Sequence, residues 1–187
     1  MQKFLKPLII LVIALFIGAG NTYANVAGES ANLNLRAKFD QNELSTISLN
    51  RKKLAIRAVL ERYQSPISGK ESSFISTCQK YNLDCYLLPS IAGLEYTFGR
   101  FIWPESFNPF GWDRGYMMFD DWSQAIDTVG YGLRKGYLNR GALSVYEIGP
   151  IYSESPTWAV RVAWFMEEFK KEEAKLTLLS TEIHVKL

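Results

Sequence analysis

Leu87-Leu88-Pro89-Ser90-Ile91-Ala92-Gly93-Leu94-Glu95-Tyr96-Thr97-Phe98-Gly99 is an apolar segment with a single carboxylate near its end and a glycine at its close. The composition predicts a helix from about Tyr86 to Phe98, with Pro89 tolerated in its first turn and Gly99 suited to a left-handed terminating position. A carboxyl held at Glu95 against apolar and aromatic neighbours has its ionised form disfavoured. Its pKa then rises, and it can keep a proton near neutral pH. Glu95 is thus the first candidate for a general acid; a solvated surface charge or an ion-pair partner is the alternative that the helix alone leaves open.

The text that follows strengthens the chemical reading. Phe107-Asn108-Pro109-Phe110-Gly111-Trp112, then Tyr116, Phe119 and Trp122, give an aromatic density beyond that of an ordinary surface loop. Sugar rings rest their apolar faces on aromatic side chains, while the polar edges of the same residues fix orientation. Cleavage of a glycosidic bond requires a protonated carboxyl beside such a platform.

Glu95-Tyr96-Thr97-Phe98-Gly99 followed by Asn108-Pro109-Phe110-Gly111-Trp112 resembles the lysozyme-like peptidoglycan-cleaving families, and is most similar to the N-acetylglucosaminidases of glycoside hydrolase family 73. Those carry a Glu-Ser-Gly-Trp-Gly element and then an Asn-Leu-Phe-Gly element. Tyr152-Ser153-Glu154-Ser155-Pro156-Thr157-Trp158-Ala159 resembles a third element, Tyr-Ala-Thr-Asp-Pro-Asn-Tyr-Ala, whose first tyrosine faces the catalytic glutamate. The three stand in the family's order, and the resemblance covers roughly Ser72 to Phe169. Tyr96-Thr97 replaces the common Ser-Gly pair, and Ser155 stands where an aspartate is usual; neither departure removes the acid.

The resemblance implies a mainly α, lysozyme-like domain with a central catalytic helix and a long aromatic loop. It implies a glycosidase that cleaves the β-1,4 bonds between N-acetylglucosamine and N-acetylmuramic acid in peptidoglycan. Glu95 and Tyr152 would be catalytic, and Thr97, Phe98, Asn108, Phe110, Gly111, Trp112 and Tyr116 would bind substrate. No cofactor or metal is implied. The partner would be peptidoglycan or a related N-acetylated glycan, met by a monomer.

Residues 1–24 read as a secretory signal: Lys3 and Lys6, an apolar stretch from Leu8 to Ala19, and Thr22-Tyr23-Ala24 as the cleavage site. The stretch is shorter than the roughly 20 residues that span a bilayer, with an uncleaved anchor as the alternative. No cysteine follows to accept a lipid. The expected location is secreted, periplasmic or cell-wall associated. Loss of Lys3 and Lys6 lowers the basic count from 21 to 19, equal to the 19 acidic residues. A neutral chain disfavours nucleic acid as a partner, because phosphate binding needs a basic surplus or stripe. Arg51-Lys52-Lys53 reads as one solvated turn of a helix.

Cys78 and Cys85, the only cysteines of an exported chain, suggest a disulfide, with two buried free thiols as the alternative. On one straight helix their Cα atoms would lie about 10 Å apart, beyond disulfide reach. The helix must therefore break between them, and Asn82-Leu83-Asp84 supplies the turn. Zinc is disfavoured because the sole histidine, His184, sits in the tail. The same histidine, without a Gly-x-Ser-x-Gly element, argues against a serine or cysteine hydrolase.

Residues 25–69 are expected to be a linker that contains an amphipathic helix. Asn25 to Leu49 is polar and lacks a clear period, whereas Leu54, Ile56, Val59, Leu60 and Tyr63 recur at helical spacing. That helix either packs on the domain or acts as a stalk. The compact unit is expected over residues 70–173. It has a helix bearing Phe74, Ile75 and Cys78, the Glu95 helix, and a loop from Arg100 to Phe119 with a short hairpin at Asp113-Arg114-Gly115. Asp120 or Asp121 caps a helix whose buried stripe is Trp122, Ala125, Ile126, Val129, Leu133 and Tyr137. A short helix follows from about Ala142 to Ile148, and Ser155-Pro156 starts the last, with Trp158, Val162, Phe165, Met166 and Phe169 facing inward. The loop from Gly149 to Ser155 would bring Tyr152 within reach of Glu95. In the tail, 174–187, Glu182 to Val185 would form a lone strand or stay loose.

Glu105, Asp113, Asp120 and Asp121 are the nearby carboxylates that could serve as a second catalytic group. Substrate assistance by an N-acetyl group needs only one. Water or the sugar's own hydroxyl can capture the intermediate, so hydrolysis and lytic transglycosylation both fit. A non-catalytic glycan-binding or scaffolding domain, and a membrane-attached structural protein, are the readings outside enzymology.

Overall fold

The computed structural model describes residues 22–185, which are mainly helical and contain no strand. Six α-helices follow in order: α1 Thr22–Arg62, α2 Glu71–Tyr81, α3 Leu87–Tyr96, α4 Trp122–Gly136, α5 Val145–Tyr152 and α6 Trp158–Val185. The chain divides into two units between Ile47 and Ser48. The signal expected over residues 1–24 lies outside the described residues up to position 21. Among the described residues no helix is long and apolar enough to cross a membrane.

The polar stretch expected to be a linker is helical, since α1 begins at Thr22. No proline falls between Thr22 and Arg62, and Ala, Leu, Glu, Lys and Arg are intrinsic helix formers that offset isolated Gly28, Asn32 and Asn34. The second unit starts at Ser48 and not near residue 70, because Ala55, Ile56, Val59 and Leu60 belong to its hydrophobic core. Burying each of the larger ones contributes about 1.5 to 3 kcal/mol. Leu54, expected on the same face, is 45% exposed because it sits one residue off the buried stripe.

Within this unit α3 packs along α6 and also touches α4, α2 lies on α4, and α5 lies on α6. Leu87 to Gly93 are all buried, as expected for a helix surrounded by others. An aromatic cluster closes one end. Phe98 lies 4.7 Å from Tyr63, 5.3 Å from Phe165 and 6.2 Å from Phe169, ring centre to ring centre. Tyr86 stacks on Phe169 at 5.4 Å, donates to Glu173 at 2.7 Å and lies under the Lys52 ammonium. Lys52 pairs with Glu173 at 3.0 Å, and Arg62 pairs with Glu172 and Glu168, so the end of α1 is tied to α6. The tail expected over 174–187 as a lone strand or loose chain is helical, since α6 continues through Glu182 to Val185.

The cysteine arithmetic is confirmed. α2 ends at Tyr81, Asn82 takes a left-handed conformation (φ 49°), and Cys78 bonds to Cys85 across a Cα separation of 4.9 Å. The Asp84 carboxylate accepts from Tyr86 N–H at 2.8 Å and restarts the chain into α3. Asp121 caps α4 by accepting from Gln124 N–H at 2.8 Å. Ala125, Ile126, Val129 and Leu133 form the expected buried stripe. The short helix sits three residues later than expected, since Ser144 and Glu147 form a capping box that fixes its start at Val145. The first regular residue of α6 is Trp158, whose N–H donates to the Ser155 carbonyl at 3.1 Å.

Candidate active site

Glu95 lies in the last turn of α3, where the buried helix reaches a half-exposed surface. The helix stops at Tyr96, two residues short of the expected end at Phe98. Thr97, Phe98 and Gly99 all have positive φ, at 49°, 55° and 82°, and Phe98 N–H donates to the Ala92 carbonyl at 2.9 Å. Non-glycine residues adopt this conformation only where their surroundings impose it. Here the imposition comes from the buried Phe98 ring and from Ser65, whose hydroxyl donates to the Phe98 carbonyl at 2.8 Å. The turn fixes the position from which Glu95 projects.

One carboxylate oxygen of Glu95, Oε1, accepts from the Trp158 indole N–H at 2.6 Å. The other faces the aromatic loop, where a Cβ at Gly111 would lie 3.3 Å from Oε2. Gly111 has φ 75°, so it supplies both the left-handed turn and the bare backbone that the close approach requires. Burial raises the pKa of Glu95 above its ordinary 4.5, against the opposing effects of the Trp158 hydrogen bond and, beyond it, the Arg161 charge. A half-buried acid with one oxygen held and the other beside an open turn can deliver a proton to a group in the adjoining loop region.

Tyr152 is brought to the same place by a different route from the expected loop. Gly149 to Tyr152 form the last turn of α5. The Tyr152 ring stacks on Trp158 at 4.7 Å and lies 5.9 Å from Tyr137. Its hydroxyl donates to the Phe110 carbonyl at 2.6 Å. Burial first, and the neighbouring Glu95 charge second, keep the phenol protonated well beyond its usual range. Tyr152 therefore reaches Glu95 through Trp158 and through the loop, not by a direct hydrogen bond.

The residues expected to touch substrate separate into two groups. Phe98, Asn108 and Phe110 are fully buried, so they shape the site from behind and present no surface to a ligand. Asn108 is the clamp of the loop. Its amide donates to the carbonyls of Trp112 at 2.8 Å and Met117 at 3.2 Å, and its carbonyl accepts from Phe110 N–H at 3.4 Å. Phe119 N–H closes the loop on the Ser106 carbonyl at 2.9 Å. Thr97, Gly111, Trp112 and Tyr116 remain accessible. Trp112 packs over Gly132 of α4, and Tyr116 is 60% exposed with its ring edge-on to Trp103 at 5.6 Å.

In place of the expected hairpin, Trp112 to Gly115 form a tight helical turn in which Asp113 and Arg114 are left-handed, at φ 49° and 56°. Among the described residues no carboxylate acts on Glu95. Glu105 and Asp113 are exposed, Asp121 is spent as a helix cap, and the Asp120 carboxylate accepts from the Gln124 amide at 2.6 Å. The partner of Glu95 that sequence reading assigned to packing is Trp158. Its signal was present: it falls inside the Tyr152–Ala159 element, and a buried indole N–H needs an acceptor.

No known protein family's sequence profile matches the chain, and no curated protein sequence matches it significantly.

Proposed function

We propose that this chain is an exported glycosidase of lysozyme-like character that cleaves the glycan strands of peptidoglycan, with Glu95 as the general acid. The observation that carries the proposal is the state of Glu95. Its pKa is raised by burial, one oxygen is fixed by Trp158, and the other borders Gly111 of an aromatic loop. The three sequence elements that resemble family 73 supply one neighbourhood: Glu95 from the first, Gly111 and the Phe110 carbonyl from the second, Tyr152 and Trp158 from the third.

In this reading Glu95 protonates the glycosidic oxygen as the bond breaks, and positive charge develops on the anomeric carbon. Trp158 holds the carboxyl in place and Tyr152 holds both Trp158 and the loop. Substrate assistance by the N-acetyl group, which needs only one carboxylate, is compatible with this arrangement. Export is consistent with the leader and with the Cys78–Cys85 bridge.

Digestion of purified peptidoglycan by the wild type and by Glu95→Gln, with the products weighed by mass spectrometry, tests the reading. The wild type should release glycan fragments, and the variant should be slower by about 100- to 10,000-fold, the range of a lost general acid. Products one water lighter would identify transglycosylation as the outcome of the same acid. Equal release by both proteins, or release by neither, would reject an acid at Glu95.

A further inference from the structure

Helix α4 carries three glycines in 15 residues, Gly130, Gly132 and Gly136. Glycine weakens a helix interior relative to alanine, and the close approach of a neighbour is one reason for it to stand there. Gly136 ends the helix, and a Cβ on it would meet nothing within 4 Å. A Cβ on Gly130 would come within 2.3 Å of the Thr77 methyl carbon and 3.2 Å of the Tyr81 ring, so this glycine serves the packing of α4 on α2. A Cβ on Gly132 would come within 2.1 Å of Cη2 and 2.9 Å of Cζ2 of Trp112. The outer edge of that indole therefore lies directly on the bare helix backbone.

Trp112 is tied to the candidate site as well. Its carbonyl accepts from the Asn108 amide at 2.8 Å, and the residue before it is Gly111, whose Cβ would lie 3.3 Å from Glu95 Oε2. At the Tyr152 phenol, burial and the Glu95 charge raise the pKa, and a hydrogen bond with the Trp112 indole acts against them. That phenol donates to the Phe110 carbonyl at 2.6 Å, and its ring stacks on Trp158, which holds Glu95. The surface of α4 thus reaches Glu95 by two routes, through Gly111 and through Tyr152 with Trp158.

We infer that Gly132 is a positioning residue for the Glu95 site: its bare backbone seats Trp112, and through Trp112 it sets both the Gly111 turn and the Tyr152 hydroxyl around the acid. The effect on turnover rests on the glycosidase reading, whereas the effect on the Glu95 carboxyl does not. Trp112, expected to contact substrate, is on this account a strut between α4 and the loop. A methyl group on residue 132 would take the volume of the indole edge and turn the ring off the helix. The loop then shifts at Gly111, water reaches Glu95, and the burial that holds its carboxyl above the ordinary 4.5 is lost.

The test uses the full chain, with the Glu95 carboxyl titrated by nuclear magnetic resonance and glycan cleavage measured on the same samples. The Trp158 donor and the Arg161 charge, which also act on Glu95, are present in every variant. Gly136→Ala should leave the midpoint, kcat and KM unchanged. Gly130→Ala should lower the melting temperature without moving the Glu95 midpoint. Gly132→Ala should lower the midpoint towards 4.5 and reduce kcat by about 10- to 100-fold, with KM within about twofold. Trp112→Leu removes the ring and should show the lower midpoint by itself; adding Gly132→Ala to it should then change nothing further. A Gly132→Ala chain that folds only once Trp112→Leu is added supports the seat in the same way, and one that stays unfolded in both backgrounds contradicts it. An unmoved Glu95 midpoint in Gly132→Ala, a further drop in the double variant, or a raised KM at constant kcat, the mark of a platform for substrate, would overturn the inference. Failure of the glycosidase reading shows separately, as cleavage that does not depend on Glu95, while the midpoint reports the seat with or without turnover.

Discussion

Glu95 concentrates the chemistry because its two oxygens face different surroundings: an indole N–H on one side and the bare backbone of Gly111 on the other. The indole favours the ionised carboxylate, so Trp158→Phe, which keeps the ring and removes the donor, should raise the pKa of Glu95 further. The alkaline limb of a pH–rate profile should then move to higher pH, and an unmoved or lowered limb would remove Trp158 from the account. Burial of Glu95 also affects stability. Because its folded pKa lies above the ordinary 4.5, its favourable contribution is complete below that value and is lost as pH rises through the raised one. Glu95→Gln should therefore melt above the wild type at about pH 7, with the gap closing towards about pH 4. Calorimetry at the two pH values checks this. Glu95 was legible in the sequence because it is the one carboxylate in an apolar helix. Trp158 was legible only by its place in the third element, since an inward indole reads alike whether its N–H meets a core carbonyl or a carboxylate.

At the scale of elements, the helices inside the folded unit were readable because periodicity and caps are local, whereas the polar helix before Leu49 and the end of α6 carry no such pattern. The turn between Cys78 and Cys85 followed from distance alone, and the Asp121 cap from residue type. The loop from Arg100 to Phe119 was not readable in the same way. Its path is set by buried polar side chains, Asn108 and Ser106, and by runs of left-handed residues that no propensity scale favours. Asn108 looked like a ligand contact and is a clamp. Asn108→Ala would leave the carbonyls of Trp112 and Met117 without their donor, at about 1 to 3 kcal/mol. Glycan cleavage should fall with the helical circular dichroism unchanged. Denaturant unfolding and a rate measurement on the same sample check this, and unaltered values of both would show that the loop holds its shape by other means.

For the molecule as a whole, the boundary of the folded unit was the least legible feature. Polar composition before Leu49 suggested a linker that ended only at Gly69, yet the core already includes Ala55, Ile56, Val59 and Leu60. A chain starting at Ser48 should fold cooperatively with a melting temperature close to that of the whole. A chain starting at Lys70 lacks that face and the Lys52 and Arg62 ion pairs with α6, and should not fold cooperatively. Thermal unfolding of the two truncations decides between the boundaries. The glycosidase account rests on a proton that stays on Glu95 at a pH where ordinary carboxylates have lost it. Titration of its side-chain carbon by nuclear magnetic resonance, assigned by comparison with Glu95→Gln, measures that proton directly. The account predicts a midpoint above 4.5 that coincides with the alkaline limb of glycan cleavage, and a midpoint at or below 4.5 would contradict it.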